Sequence, residues 1–120
     1  MTRINAGVPP KELTKQHLIA EHREIKRIPN CLSKGRYSLK GMPAQFKLGE
    51  GHVKFFYDKA LYLKKRYEEL YRECIDRGVN ATYFGDAWDG VPKELMNDYE
   101  PTDRDRELIR ERIKERLSVK

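Results

Sequence analysis

The sequence predicts an all-α fold, a compact single domain over residues 1–120 with three main helices and long irregular connecting loops. Three observations predict it. Leu, Ile, Tyr and Phe recur at spacings of three and four residues over long stretches. The chain has 120 residues and 38% hydrophobic content, which suffices for one core and not for two of ordinary size. Glycine and proline gather between the periodic stretches, where they break regular structure.

The elements follow in order. After an extended leader, Pro9 and Pro10 stand where a helix begins, and Lys11 to about Leu32 carries Leu18, Ile25, Ile28 and Leu32 on one arc. Pro29 bends or ends this helix, because it lacks an N–H and its ring collides with the carbonyl four residues earlier. From Ser33 to Gly51 the chain is rich in Lys, Gly and Pro and reads as irregular surface. Asp58 to Arg77 gives the clearest helix, with Leu63, Tyr67, Leu70 and Cys74 on one face and Gly78 placed to end it. Residues 79–101 read as loop with one short turn near Lys93 to Met96, anchored by Tyr83 and Trp88. Thr102 with Asp105 forms a capping-box-like start for a charged last helix, with Leu108, Ile109, Ile113 and Leu117 facing inward.

Composition excludes several classes of function. No apolar run approaches the roughly 20 residues of a membrane span, and MTRINAGVPP lacks the apolar stretch of a secretory signal, so a cytoplasmic protein with no membrane partner is expected, in the host cytoplasm for a viral chain. Cys31 and Cys74 are isolated and expected as free thiols, and no CxxC pair or Cys/His cluster offers a metal site. Neither metal nor cofactor is expected, which leaves the chemistry to ordinary side chains or the chain terminus. The net charge of +6 is concentrated. Between Lys34 and Arg66 there are nine basic residues against Glu50 and Asp58, with Tyr37, Phe46, Phe55, Phe56 and Tyr57 interleaved. Such a block fits a nucleic-acid surface and equally a solvated face around core aromatics.

Two groups stand out chemically. Thr2 follows the initiator Met, whose removal from a small residue leaves a free α-amine. With an ordinary pKa of about 8 against about 10.4 for lysine, that amine is neutral and nucleophilic roughly two hundred times more often near pH 7. It can attack a sugar's anomeric carbon and form an imine that permits β-elimination. The plain reading, that Thr2 is simply the second residue of a protein, stands beside this one. In HLIAEHREIKR, residues His17, Ala20, Glu24 and Arg27 fall on neighbouring rows of a helix, with Arg23 one turn before Arg27. Glu24 borders the apolar arc, where a partly desolvated carboxylate held by guanidinium groups suits proton transfer or stabilisation of a cationic sugar. Arg23 and Arg27 suit bidentate phosphate contacts, although the same spacing also makes ordinary surface ion pairs. Glu21, nearer the centre of the arc, reads as a structural, hydrogen-bonded carboxylate.

The blocks MTRIN, QHLIAEHREIKR, LGEGHVKFFYDK and VPKELMNDYEP, in this order, resemble the pyrimidine-dimer DNA glycosylase family, the thymine-dimer type of endonuclease V. The resemblance implies a compact helical DNA-repair enzyme that acts on double-stranded damaged DNA, cuts out the damaged base and nicks the abasic strand by AP-lyase chemistry. It assigns the nucleophilic amine to Thr2 and the essential carboxylate to Glu24. It assigns phosphate contacts around the lesion to Arg3, Arg23 and Arg27, a site-lining role to His17, and backbone contacts to Arg112 and Arg116. The loop before LGEGH is shorter here than in the best-known members, and those members continue past the position of Lys120 into a tail rich in Trp and Tyr. Lesion range is therefore left open between cyclobutane dimers and other lesions or abasic sites, and a non-catalytic DNA-binding protein remains the competing class. A monomer is expected.

Overall fold

The computed structural model describes residues 3–118, with side chains through residue 116. Thr2 and the side chain of Leu117 lie outside the described residues. Among the described residues there is no β-strand; five α-helices and three single 3-10 turns make up the regular structure.

Helix α1 spans Lys15–Glu24 and α2 spans Arg27–Ser33. They are the two halves of the first expected helix. The break falls at Ile25 and Lys26, one turn ahead of Pro29, because Pro29 has no N–H to give the Ile25 carbonyl and a proline ring collides with the carbonyl four residues earlier in an unbroken helix. Ile28 N–H bonds to the Ile25 carbonyl instead, at 3.3 Å. The helix also starts later than expected. Pro10–Glu12 forms only a 3-10 turn, and α1 begins where Thr14 accepts a hydrogen bond from the His17 N–H. Leu18, Ile25, Ile28 and Leu32 are all buried, as their arc predicts.

The leader is non-helical and lies in the core: Ile4, Asn5, Ala6 and Val8 are at most 3% exposed. A non-helical buried segment must find backbone partners. It finds them on side chains of distant elements: Tyr62 accepts from the Gly7 N–H, Arg66 donates to the Val8 carbonyl, and Arg106 donates to the Gly7 carbonyl.

After the irregular segment that follows α2, α3 (His52–Phe55) is a single turn and α4 (Ala60–Asp76) is the central helix. Its buried face contains Leu63, Tyr67, Leu70 and Cys74 and packs against α1, where His22 stacks on Tyr67 with ring centroids 5.1 Å apart. Gly78, at φ +75°, closes α4: its N–H reaches the Ile75 carbonyl and the Val79 N–H reaches the Cys74 carbonyl. The following loop is anchored by Trp88, buried and donating to the Ala60 carbonyl at 3.0 Å. Tyr83, although 48% exposed, also holds the loop to α4, its ring lying against Tyr67 and Tyr71 and its hydroxyl donating to Glu68. Helix α5 (Asp103–Ser118) begins with the reciprocal bonds of a capping box, Asp105 N–H to Thr102 Oγ1 and Thr102 N–H to Asp105 Oδ2. Ile109 is buried beneath it, and Leu108 and Ile113 are partly buried.

The basic, aromatic-laced block resolves into two populations. Phe46, Phe55 and Phe56 form a core cluster of edge-on rings, and Arg66 turns inward, whereas Lys34, Arg36, Lys40 and Lys47 are exposed. Cys31 and Cys74 are free, the first half-buried and the second buried. No helix among the described residues is long and apolar enough to cross a membrane.

Candidate active site

A cleft of about 400 Å³ opens where the leader, α1, the segment before α3 and α5 meet, lined among others by Arg3, His17, Glu24, His52, Arg112 and Arg116. Each lining element arrives for a local reason. Thr14 caps α1 and its hydroxyl lies 2.6 Å from His17 Nδ1, which fixes the His17 ring at the cleft rim. Glu24 stands two turns further along the same face, at the last residue of α1. Helix α5 is clamped across the leader and loop by Arg104 to the Phe46 carbonyl, Arg106 to the Gly7 carbonyl and Arg110 to Glu12. Arg112 and Arg116, on the continuation of α5, thereby reach the cleft.

Two carboxylates of α1 face this region in opposite circumstances. Glu21 is 2% exposed and fully engaged, taking Arg66 Nε at 2.8 Å, Arg66 Nη2 at 2.9 Å and Asn5 Nδ2 at 2.7 Å. Burial opposes the Arg66 charge, yet the facing Glu21 more than offsets this and raises the Arg66 pKa. This pair ties α1, α4 and the leader together, the structural role its place on the arc predicts. Glu24 has a side chain 14% exposed, and its Oε2 lies 3.4 Å from Arg23 and 3.9 Å from Arg27, both of which extend into solvent. It is the less engaged carboxylate and the one with room for a substrate.

The cleft is electropositive, because its two carboxylates are already paired with arginines outside its lining. Burial lowers the Arg3 pKa, and the neighbouring Arg112 and Arg116 lower it further. His17 is depressed in the same way, first by burial and then by Arg3 and Arg116, so it stays neutral at pH 7. Arg112 Nε is buried without a hydrogen-bond partner. Cations crowded this way gain when an anion enters, and a phosphate supplies both the charge and the acceptors.

Arg3, His17, Glu24, Arg112 and Arg116 are thus brought to one cleft, with Arg23 and Arg27 beside it, bound to the outer side of Glu24. Thr2, outside the described residues, is bonded to Arg3. Sequence reasoning did not single out Asn5, Gln16 or His52, all of which line the cleft. Asn5 and His52 stood within MTRIN and LGEGH, but nothing local marks either as part of a site.

Fold and cleft together make a small helical domain that sets Arg3, Arg112 and Arg116 beside a partly shielded carboxylate. The chain belongs to the pyrimidine dimer DNA glycosylase family, whose sequence model matches residues 1–84. It is accordingly a DNA glycosylase, with damaged DNA as the substrate. The matched residues include Arg3, His17, Glu24 and His52, whereas Arg112 and Arg116 lie beyond them.

Proposed function

We propose that this chain, a single-domain monomer, excises the damaged pyrimidine of a cyclobutane dimer through the α-amine of Thr2 and then nicks the strand by β-elimination. The amine lone pair attacks C1′ of the sugar; the glycosidic bond breaks, its electron pair leaves with the base, and the base takes up a proton. A proton then passes from the nitrogen to O4′ as the C1′–O4′ bond opens and the imine forms. Removal of a proton from C2′ drives cleavage of the C3′–O bond, the phosphate leaves, and hydrolysis of the imine frees the enzyme. Glu24 moves these protons. Arg3, Arg23, Arg27, Arg112 and Arg116 hold the flanking phosphates, and His17 lines the site as a neutral group.

The observation that carries this reading is the meeting of Glu24, only 14% exposed at its side chain, with Arg3, the residue bonded to Thr2, in one cation-rimmed cleft. Two features support it. The α-amine is the most readily deprotonated amine available to a chain of this composition. A cationic surrounding disfavours a further positive charge and so favours the free-base amine. Borohydride added during turnover on a duplex with a single cyclobutane dimer tests the reading. The expected product is a protein–DNA adduct whose trapped peptide carries the sugar on Thr2; an adduct on a lysine of Met-processed protein overturns it.

A further inference from the structure

Six residues after the buried Phe46 stands a histidine with both ring nitrogens committed. His52 opens α3 and is 2% exposed, boxed edge-on by Phe46 at 5.3 Å and Phe56 at 5.6 Å between ring centroids. Its Nδ1 lies 2.7 Å from the Lys47 carbonyl oxygen, which can only accept, so Nδ1 carries the hydrogen. Its Nε2 lies 2.8 Å from the Ile4 backbone nitrogen, which can only donate, so Nε2 keeps its lone pair. The two contacts are compatible only with one tautomer of the neutral ring. A proton on Nε2 sets donor against donor and breaks the bond to Ile4.

That bond holds a consequential stretch of chain. Residues 5–8 are tied by Glu21, Tyr62, Arg66 and Arg106, but the Ile4 N–H, two residues from Thr2, is held by His52. The charged groups that bear on the ring are Arg3 on the leader and Glu21 on α1, the latter already paired with Arg66 of α4. Phe46 and Phe56 fill the remaining sides without charge. We propose that His52 is a positioning residue for this enzyme: as a neutral imidazole it anchors Ile4 and so sets how Arg3 and the Thr2 amine meet the substrate, an anchorage lost when Nε2 is protonated. The proposal rests on the reading of Thr2 as the nucleophile. Burial lowers the His52 pKa, partly offset by the Lys47 carbonyl, which places the loss on the acid side of the ordinary imidazole value of about 6.5.

The test is single-turnover cleavage of a dimer-containing duplex between pH 5 and 8 by the full chain and two variants, with borohydride trapping and thermal unfolding alongside. In His52→Gln the amide places one acceptor and one donor where the two ring nitrogens stand, and it does not titrate. Its rate at pH 8 should lie within about threefold of the unaltered protein, and its acid limb should lose the inflection due to residue 52. His52→Phe removes both bonds and should slow cleavage on the order of a hundredfold at pH 8, as a misplaced reacting group does, with the deficit narrowing toward pH 5 as the unaltered protein loses the same anchorage. An unchanged acid limb in His52→Gln, or an unimpaired His52→Phe, overturns the proposal. Imidazole nitrogen NMR of the unaltered protein needs no variant to fold. It should report hydrogen on Nδ1 and a protonation midpoint coincident with the acid limb; hydrogen on Nε2 or a separate midpoint likewise overturns it. The two readings fail separately. An adduct away from residue 2 removes the nucleophile assignment, whereas an adduct on Thr2 with an unaltered acid limb in His52→Gln removes only the role of His52.

Discussion

Glu21 and Glu24 are one turn apart on α1, and replacing each by Gln should produce opposite phenotypes. In Glu21→Gln the shape is kept but the charge facing Arg66 is lost. Arg66 is 3% exposed, so water cannot take the place of the carboxylate, and a buried ion pair broken from one side costs about 3–5 kcal/mol. Against a total of about 5–15 kcal/mol for a domain this is a large fraction. At about 4 °C per kcal/mol for a chain of this size, the Tm should fall by about 12–20 °C. Glu24 presents the reverse case. Its arginine partners sit at 3.4 and 3.9 Å with side chains 63% and 57% exposed, and pairs of that kind contribute at most about 1 kcal/mol. Glu24→Gln should therefore shift the Tm by no more than about 4 °C while slowing base removal and nicking by at least about a hundredfold, the order of a lost general acid-base group. Its affinity for damaged duplex should be equal or higher, because a negative charge beside phosphates is gone. Differential scanning calorimetry and single-turnover cleavage at saturating enzyme read the two effects separately. A Glu24→Gln protein that cleaves at near the unaltered rate, or a Glu21→Gln protein as stable as its parent, refutes the division of labour between the two carboxylates.

Further outcomes are expected. Binding to undamaged duplex should weaken steeply with salt, with a slope of roughly −0.9 per neutralised phosphate, and Arg112→Ala should reduce that slope by about one while weakening damaged and undamaged binding alike; a change confined to lesion selectivity contradicts backbone contact. His17, His22 and His52 all have pKa values lowered by burial, so the unfolded chain takes up protons before the folded one does as pH falls. Their contribution to stability is complete above the ordinary value of about 6.5 and declines below it, and unfolding at pH 6 should consume protons in calorimetry across buffers; zero or negative uptake counts against this. Gly78→Ala should cost about 1 kcal/mol without affecting turnover, because φ +75° strains any side chain although the added carbon meets nothing within 4 Å. Gly7→Ala should cost more, since its added carbon lies 2.7 Å from Pro101 Cβ and 2.8 Å from Arg106 Cγ; equal losses at the two glycines contradict the packing argument.

The sequence by itself determined whatever depends on near neighbours in the chain. The buried face of α4, its end at Gly78, the capping box of Thr102 and Asp105 and the disturbance caused by Pro29 each follow from periodicity, φ preference or a missing donor within a few residues. Glu21 and Glu24 were separable for the same reason, since helical geometry alone puts one nearer the centre of the apolar arc. Which helical break Pro29 makes was decided with the carbonyl of Ile25 in place, one turn earlier than the proline itself. The tertiary structure alone decided the fate of residues 4–8. Ile4, Ala6 and Val8 alternate over too few residues to mark a buried element, and the backbone of this segment is satisfied by hydrogen bonds with Tyr62, Arg66 and Arg106, far along the chain. It alone placed His52 behind Ile4 and brought the end of α5 to the cleft of α1, so that Arg112 and Arg116 meet Arg3 and Glu24. Hydrogen bonds and charge pairs across such separations leave no local pattern, because their geometry exists only after the helices have packed.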